Sequence, residues 1–329
     1  MAGMSNFLET PRLTLRHLTA ADADELIRLH SDPEVMRWIT NGQPADPVEL
    51  KEKVLPRWLE LYEYNGWGFF AAVDKASGEF AGWFHLHTRE QDDVYELGYR
   101  LHTRFWKQGL ATEGSKHLLA KLVMEGRPAK ITARTMAGNT ASRRVMEKLG
   151  LTYTRDFEEQ KFPGKDKRAV WYERQTPTII HRRVWMCQLG MNPTTIRKLP
   201  SGWVVIGDSQ RLKGYTLLLS DPVLSDINHV PEHYRAMFLK DMALLGDAVL
   251  AATGARLMNY MLLQNLDYAL HAHIFPRYAD EDPQRRSNGP WTYFGDPDVP
   301  LDLQRDTELI RRIGTELDRV CGEAGVRCT

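Results

Sequence analysis

The chain has 329 residues, 43% apolar and 26% charged, which is more than one ordinary domain holds and enough apolar material for two cores. Its 43 basic and 43 acidic residues cancel, so overall charge supports neither a nucleic-acid partner nor a membrane-surface partner. Three widely spaced cysteines, Cys187, Cys321 and Cys328, form no CxxC pair, which argues for a reducing compartment and against a disulfide framework or a structural zinc site.

The first half opens with the strand pattern Arg12-Leu-Thr-Leu-Arg16. Thr19 then reads as the N-cap of a helix with Ala23, Leu26 and Ile27 on one face. A second helical stretch runs from Val48 to Tyr64, with a kink expected at Pro56. Strand patterns follow at Trp67–Val73, Glu79–His87 and Val94–Leu101, the first two joined by a turn at Asp74–Gly78. A helix fits Leu110–Met124, a strand Lys130–Thr135, and a helix Thr140–Leu149 with Gly150 beyond its end. Strands near Leu151–Phe157 and Ala169–Glu173 complete this half. The polar, proline-bearing segment Arg174–Thr178 places the domain boundary near 176, giving domains 1–176 and 177–329.

The segment Arg104-Phe-Trp-Lys-Gln-Gly-Leu-Ala-Thr-Glu113 leaves a strand and opens a helix. Gly109 permits unusual dihedrals, and a helix N-terminus offers unpaired N–H groups and positive potential, a combination that can hold a pyrophosphate. Taken alone, such a turn reads equally well as an ordinary strand-to-helix connection. Downstream comes Asn139-Thr-Ala-Ser-Arg-Arg-Val-Met-Glu-Lys-Leu-Gly-Leu-Thr-Tyr153, after one intervening helix and one strand. The two linked motifs resemble the GCN5-related N-acetyltransferase (GNAT) family over residues 8–174, and within it the branch that acetylates ribosomal-protein N-termini and assorted small amines.

The resemblance implies a mixed central sheet flanked by helices and acetyl-CoA as donor. It assigns the amides of Gln108, Gly109, Leu110, Ala111 and Thr112 to the pyrophosphate and Asn139 to the pantetheine arm. Ser142, one turn on, would protonate the leaving thiolate. Glu96 is the candidate acceptor of the amine's proton, and its alternative is a surface strand glutamate. Two departures stand out: Lys107-Gln108 where many relatives carry glycine beside the basic residue, and Gly114 in place of the usual alanine. His85 and His87 read mainly as structural, with one of them able to line the acceptor pocket. Trp38, Trp58, Trp67 and Trp83 read as core or pocket wall.

The second half shows strands at Trp203–Ile206 and Tyr215–Leu219, a long helix over Pro231–Thr253, and strands at Leu257–Leu263 and Leu270–Phe275. A polar stretch from Ala279 to Pro300 precedes a final amphipathic helix over Leu301–Cys321. Within Leu270-His-Ala-His-Ile-Phe-Pro-Arg277, strand parity puts His271 and His273 on one face, where imidazoles can attack phosphorus. With Asn259 and Asn265 upstream, this segment resembles the histidine triad (HIT) family of nucleotide hydrolases and transferases, in outline over residues 180–322. The implied fold is an antiparallel sheet with one long and one C-terminal helix, so the whole chain is a two-domain α+β or α/β protein.

Anchoring that family's pattern on Pro276-Arg277 makes His271 the nucleophile and His273 the residue that contacts phosphate or assists the leaving group. Asn259 and Asn265 would contact ribose or phosphate oxygens. The alternative register makes His273 the nucleophile and puts Phe275 in third place. Ala269 stands where the first histidine belongs, and Val223 where many relatives carry a supporting one. His229 and His233 read as solvated.

These expectations describe a bifunctional enzyme that acetylates an amine and cleaves a nucleotide phosphoanhydride or phosphoramidate bond. An aminoacyl-nucleotide carries both groups and would be detoxified by either half. The alternative is an acetyltransferase regulated by a catalytically weak nucleotide-sensing HIT domain, and a third idea is a ribosomal-protein acetyltransferase with a passive appendage. The HIT resemblance implies a homodimer through a shared sheet. No metal is expected. No leader-like start and no membrane-length apolar run occur, so the expected location is the cytoplasm.

Overall fold

In the computed structural model, which describes residues 6–88 and 93–329, the chain divides between Pro177 and Thr178 into two units, each with its own sheet. The first unit contains strands β1 (Asn6–Glu9), β2 (Leu13–His17), β3 (Phe69–Asp74), β4 (Phe80–Thr88), β5 (Val94–Leu101), β6 (Lys130–Met136), β7 (Thr152–Glu158) and β8 (Arg168–Gln175). Their order is β1-β2-β3-β4-β5-β6-β8-β7. Every neighbouring pair is antiparallel except β5 and β6, which run parallel. The sheet is therefore mixed, and the helix between β5 and β6 serves as the crossover that a parallel pair requires.

Helices α1 (Ala23–Ser31), α2 (Pro33–Met36), α3 (Pro47–Glu49) and α4 (Leu55–Asn65) fall between β2 and β3. Leu26 and Leu29 of α1 are fully buried in a cluster with Leu50, Leu55, Phe69 and Trp83. The single helix expected over Val48–Tyr64 is instead interrupted by a π turn at Leu50–Val54. Pro56 has no N–H and its ring excludes the normal carbonyl approach, so the backbone widens just before it. The N–H of Leu55 accordingly donates to Leu50, five residues back.

Helix α5 (Leu110–Met124) packs on the sheet through Gly114, and α6 (Thr140–Lys148) follows β6. A Cβ at residue 114 would lie 2.4 Å from the Phe84 ring, so glycine lets the helix close onto the strand. β1 has four residues, too few to register as a period-two pattern.

The second unit contains α7 (Ile179–Gln188), β9 (Thr195–Leu199), β10 (Gly202–Ile206), β11 (Thr216–Ser220), α8 (Glu232–Thr253), β12 (Leu257–Met261), β13 (His271–Arg277), α9 (Pro283–Arg286) and α10 (Thr307–Glu323). Its sheet is antiparallel in the order β12-β13-β11-β10-β9. Alternation decides the two faces. Val204, Ile206, Leu218, Ala272 and Ile274 pack with α8 and α10, whereas Val205, Leu217, Leu219 and Ala269 pack with α7. His271 and His273 have the opposite parity to Ala272 and Ile274, so they lie on the α7 face.

Three local expectations change. Residues 179–188 form a helix that the sequence pattern did not reveal, capped by Thr178, whose Oγ1 accepts from the His181 amide. β13 continues through Pro276 to Arg277, where the expected strand stopped at Phe275. The last helix begins at Thr307 rather than Leu301, because the Asp302 carboxylate accepts from the amides of Gln304 and Arg305 and folds that segment into a turn. Among the described residues, no helix is long and apolar enough to cross a membrane.

Alanine at Gly114 would gain about 1 kcal/mol of helix propensity but push against Phe84, which is fully buried. The expected net effect of Gly114→Ala is a loss of roughly 1–2 kcal/mol in urea unfolding. A variant as stable as the parent would show that Phe84 has room to move.

Candidate functional site

β5 and β6 are hydrogen-bonded only at Val94–Lys130, Tyr95–Ile131 and Glu96–Thr132. Beyond that rung β5 stays with β4 and β6 with β8, so a wedge opens between residues 97–101 and 133–136. The backbone groups facing this wedge have no ladder partner and are available to an extended ligand. The N-termini of α5 and α6 both follow the carboxyl ends of these strands, the position where open α/β sheets receive ligands.

The loop before α5 forms a concave turn. Lys107 has φ 59° and Gly109 has φ 82°, two left-handed residues flanking Gln108 in a concave turn. The first amide of this helix with a backbone partner is Glu113, which donates to Gly109 at 2.9 Å. The amides of Leu110, Ala111 and Thr112 precede it in the first turn. Arg12 braces the loop: Nη1 donates to the Gln108 carbonyl at 2.9 Å and Nε to Glu113 at 2.7 Å. Glu113 also accepts from Thr10 Oγ1 and the Arg12 amide. Desolvation pushes that carboxyl up, but these bonds outweigh it and hold the pKa below the usual value.

A GNAT acetyltransferase domain model matches residues 12–152. The FsC-acetyl coenzyme A-N(2)-transacetylase of Aspergillus fumigatus is 31% identical over 195 residues, covering 54% of this chain and 82% of the relative. This chain belongs to the GNAT acetyltransferase family. YkkB of Bacillus subtilis is also 31% identical, over 51% of this chain and 95% of its own length. Among solved structures, a GNAT-family acetyltransferase of Bacillus anthracis is 20% identical over 51% of this chain and 97% of its own, with a TM-score of 0.44. A ribosomal L7/L12 α-N-protein acetyltransferase in complex with coenzyme A is 17% identical over 53% of this chain and 99% of its own, with a TM-score of 0.47.

The GNAT unit is an N-acetyltransferase and its donor is acetyl-CoA. Asn139 caps α6, its Oδ1 accepting from the Ser142 amide at 3.2 Å. Ser142 Oγ in turn accepts from Tyr99 Oη at 3.4 Å, which joins α6 to β5. Burial pushes the Tyr99 hydroxyl up to about 12, so it keeps its proton. The sequence reading missed Tyr99, because only the placement of α6 over β5 brings it to Ser142. Glu96 is buried, and its Oε1 accepts from Arg134 Nε at 3.2 Å, while Arg134 Nη1 donates to Glu159 at 2.8 Å.

His85 and His87 line the face of β4 that carries Trp83, and Glu96 lies opposite His87 on β5. The His85 ring covers Gly98, where a Cβ would come within 2.7 Å of it. Trp58 stacks on Phe69 at 3.9 Å, and Trp67 is buried beside Tyr95. Trp38 packs over Gly138.

The GNAT match ends at residue 152 and leaves the second unit outside it. On the α7 face of that unit a pocket of about 340 Å³ is lined by His271, His273, Tyr215, Phe275, Asn265 and others. His271 Nδ1 lies 2.7 Å from the Ala269 carbonyl, and His271 Nε2 lies 3.0 Å from His273 Nε2. His273 Nδ1 is 2.6 Å from Tyr215 Oη. A carbonyl only accepts, so the neutral His271 carries its proton on Nδ1. Its Nε2 then accepts from His273 Nε2–H, and His273 Nδ1 accepts from the tyrosine hydroxyl. Burial, then His271, then Arg183, bring His273 down to about 4, which keeps it neutral.

Asn259 is not among the pocket-lining residues: its Oδ1 accepts from Arg277 Nη1 at 2.7 Å, within a buried cluster that also holds Glu281. The two asparagines therefore do not meet in one site. Ala269 is fully buried in a cluster with Ile180, Val184 and Cys187 of α7. Val223 is partly buried in the same cluster. Tyr215, another residue the sequence reading missed, reaches His273 because β11 pairs with β13. Among the described residues, no group of three or more His, Cys, Asp and Glu is placed to hold a metal ion.

The unfolded chain protonates residue 273 near 6.5 and the fold only near 4. Stability is therefore fully present above about pH 6.5 and declines as pH falls toward 4. Hydrogen exchange of β11 and β13 in the full chain should accelerate over that window, and His273→Gln should flatten the response. An exchange rate that ignores pH there would rule out a neutral buried imidazole.

Proposed function

We propose that the first unit acetylates a small amine, with the amides of Gln108 to Thr112 holding the donor's pyrophosphate and the β5–β6 wedge holding its pantetheine arm. Acetyl-CoA supplies the activated acetyl group. Asn139 Nδ2 stands ready for the arm, because its Oδ1 is taken by the helix. Tyr99 and Ser142 form a hydroxyl pair beside the wedge and deliver the proton to the departing thiolate. Glu96 receives the amine's proton, with Arg134 steadying the carboxylate. The observation that carries this reading is the coincidence of the left-handed turn at residues 107–109 with the point where β5 leaves β6.

Arg12→Ala would release the Gln108 carbonyl and leave Glu113 without its guanidinium beside the anion loop. The expected outcome is a roughly three- to tenfold weaker binding of coenzyme A by calorimetry, with less effect on dephosphorylated pantetheine. Equal weakening of both ligands would place the pyrophosphate elsewhere.

For the second unit we infer a HIT-like site that cleaves a phosphoanhydride or phosphoramidate bond in a nucleotide. The tautomer order supports His271 as nucleophile: with its proton on Nδ1 at the Ala269 carbonyl, its Nε2 carries the lone pair. That lone pair accepts from His273 Nε2–H, so the His273 ring must turn its N–H to the phosphate before His271 can attack. His271 Nε2 would attack the α-phosphorus, the bond to the leaving group would break, and water would then hydrolyse the phosphoramidate so formed. An aminoacyl-nucleotide would be a shared substrate for both units. Labelled nucleotide should give an acid-labile adduct that His271→Ala abolishes. Tight nucleotide binding with no turnover in the parent protein would instead favour the sensing role, for which Ala269 speaks.

A further inference from the structure

Several guanidiniums set into this protein face a carboxylate. Arg16 meets Asp22, Arg134 meets Glu96 and Glu159, Arg183 meets Asp208, and Arg277 meets Glu281. Arg100, near the end of β5, is different. Its guanidinium lies 5.0 Å over the Trp83 ring, and Nη1 reaches only the Met36 sulfur, at 3.5 Å. Among the described residues it has no carboxylate partner. Burial without a counter-charge brings its pKa down to about 10, so at neutral pH it remains a cation.

The surrounding wall is uncharged. Met36, Trp83 and His30 are all buried. Trp83 Nε1 donates to His30 Nε2 at 3.2 Å, and burial followed by the fields of Arg100 and His102 lowers His30 to about 2. His102 is likewise lowered, first by burial and then by Arg104. Asp32, on the adjoining segment, is committed to the Glu34 amide and the Thr103 hydroxyl. The Arg100 side chain is only partly buried, and with one weak sulfur acceptor it keeps donors open to a ligand arriving at this face.

Its position says which ligand. Glu96, Gly98 and Arg100 alternate along one face of β5 and lie opposite His87, His85 and Trp83 on β4. Glu96 is at the last rung before the wedge, and Arg100 is four residues further, roughly 13 Å along the strand. Gly98, between them, leaves this face without a side chain and under the His85 ring.

We propose that Arg100 binds a carboxylate on the acceptor, so that the substrates of the acetyltransferase unit are amines carrying a carboxylate several bonds from the reacting nitrogen. The proposal rests on the wedge being the acetyl-transfer site, and its primary test does not need acetyl-CoA. Trp83 stacks against Arg100, so ligand binding there should alter tryptophan fluorescence. The probes are N-acetyl derivatives of ω-amino acids from glycine to 6-aminohexanoate, each with its matching carboxamide, titrated into the full chain.

At one or more chain lengths the carboxylate should bind on the order of tenfold tighter than its amide. Arg100→Met should erase that difference while leaving amide binding and coenzyme A binding in place. Arg100→Lys, which retains the charge against Trp83, should keep part of it. Equal binding of carboxylates and amides at every length would overturn the assignment. So would an Arg100→Met variant that loses both ligands alike, or a carboxylate preference that survives the substitution. Rates with the free ω-amino acids and the corresponding alkylamines add a second readout, where kcat/KM should favour the carboxylated acceptor to a similar degree. A chain that fails to bind coenzyme A but still shows the Arg100-dependent carboxylate preference would sink the wedge reading and leave the anion site standing.

Discussion

Three rungs of parallel pairing between β5 and β6, and no more, organise the acetyltransferase unit. A full ladder would consume every backbone group along both strands and leave nothing for a ligand. Separation after Glu96 and Thr132 converts two sheet strands into two unsatisfied edges that face each other. The crossover helix α5 begins at the mouth of that gap, as a right-handed parallel connection places it. The left-handed turn at residues 107–109, the hydroxyl pair of Tyr99 and Ser142, and the Glu96–Arg134 pair all lie around this one break.

The charges near the wedge are handled in two ways. Glu113, in the first turn of α5, would repel an anion there, yet three donors from the segment Thr10–Arg12 take up its oxygens. Glu96 and Arg134 neutralise each other in the floor. Arg100 has no carboxylate partner among the described residues, and it lies against Met36 and Trp83 instead. The second unit works differently. There the polar chain from Tyr215 through His273 and His271 to the Ala269 carbonyl is satisfied at each nitrogen, which fixes both tautomers without any charged partner.

Much of the first unit could be read from its residues. The helix from Leu110 to Met124 and the strand Val94–Leu101 appear where the apolar spacing and the glycine at 109 put them. Asn139 heads α6, as its residue type and the following Ser142 suggest. Other features escaped because they depend on contacts far apart in sequence. The π turn at Leu50–Val54 arises from Pro56 within an otherwise regular apolar pattern. Helix α7 has apolar residues on several sides and no clear period, since its Ile180, Val184 and Cys187 meet a sheet face while Trp185 is also fully buried.

Sequence by itself determined which residues can perform chemistry: a glycine turn ahead of a helix, a carboxylate on the preceding strand, and two imidazoles whose spacing puts them on one face. These follow from local dihedral freedom and the period-two geometry of a strand, which need no partner. Only the tertiary structure decided what each group is bound to. It gave Glu96 to Arg134, Asn259 to Arg277 and Tyr215 to His273, and it left Arg100 without a carboxylate partner among the described residues. Pairing of that kind is set by which strands become neighbours and where their ladder stops, and this is information no short window of the chain contains.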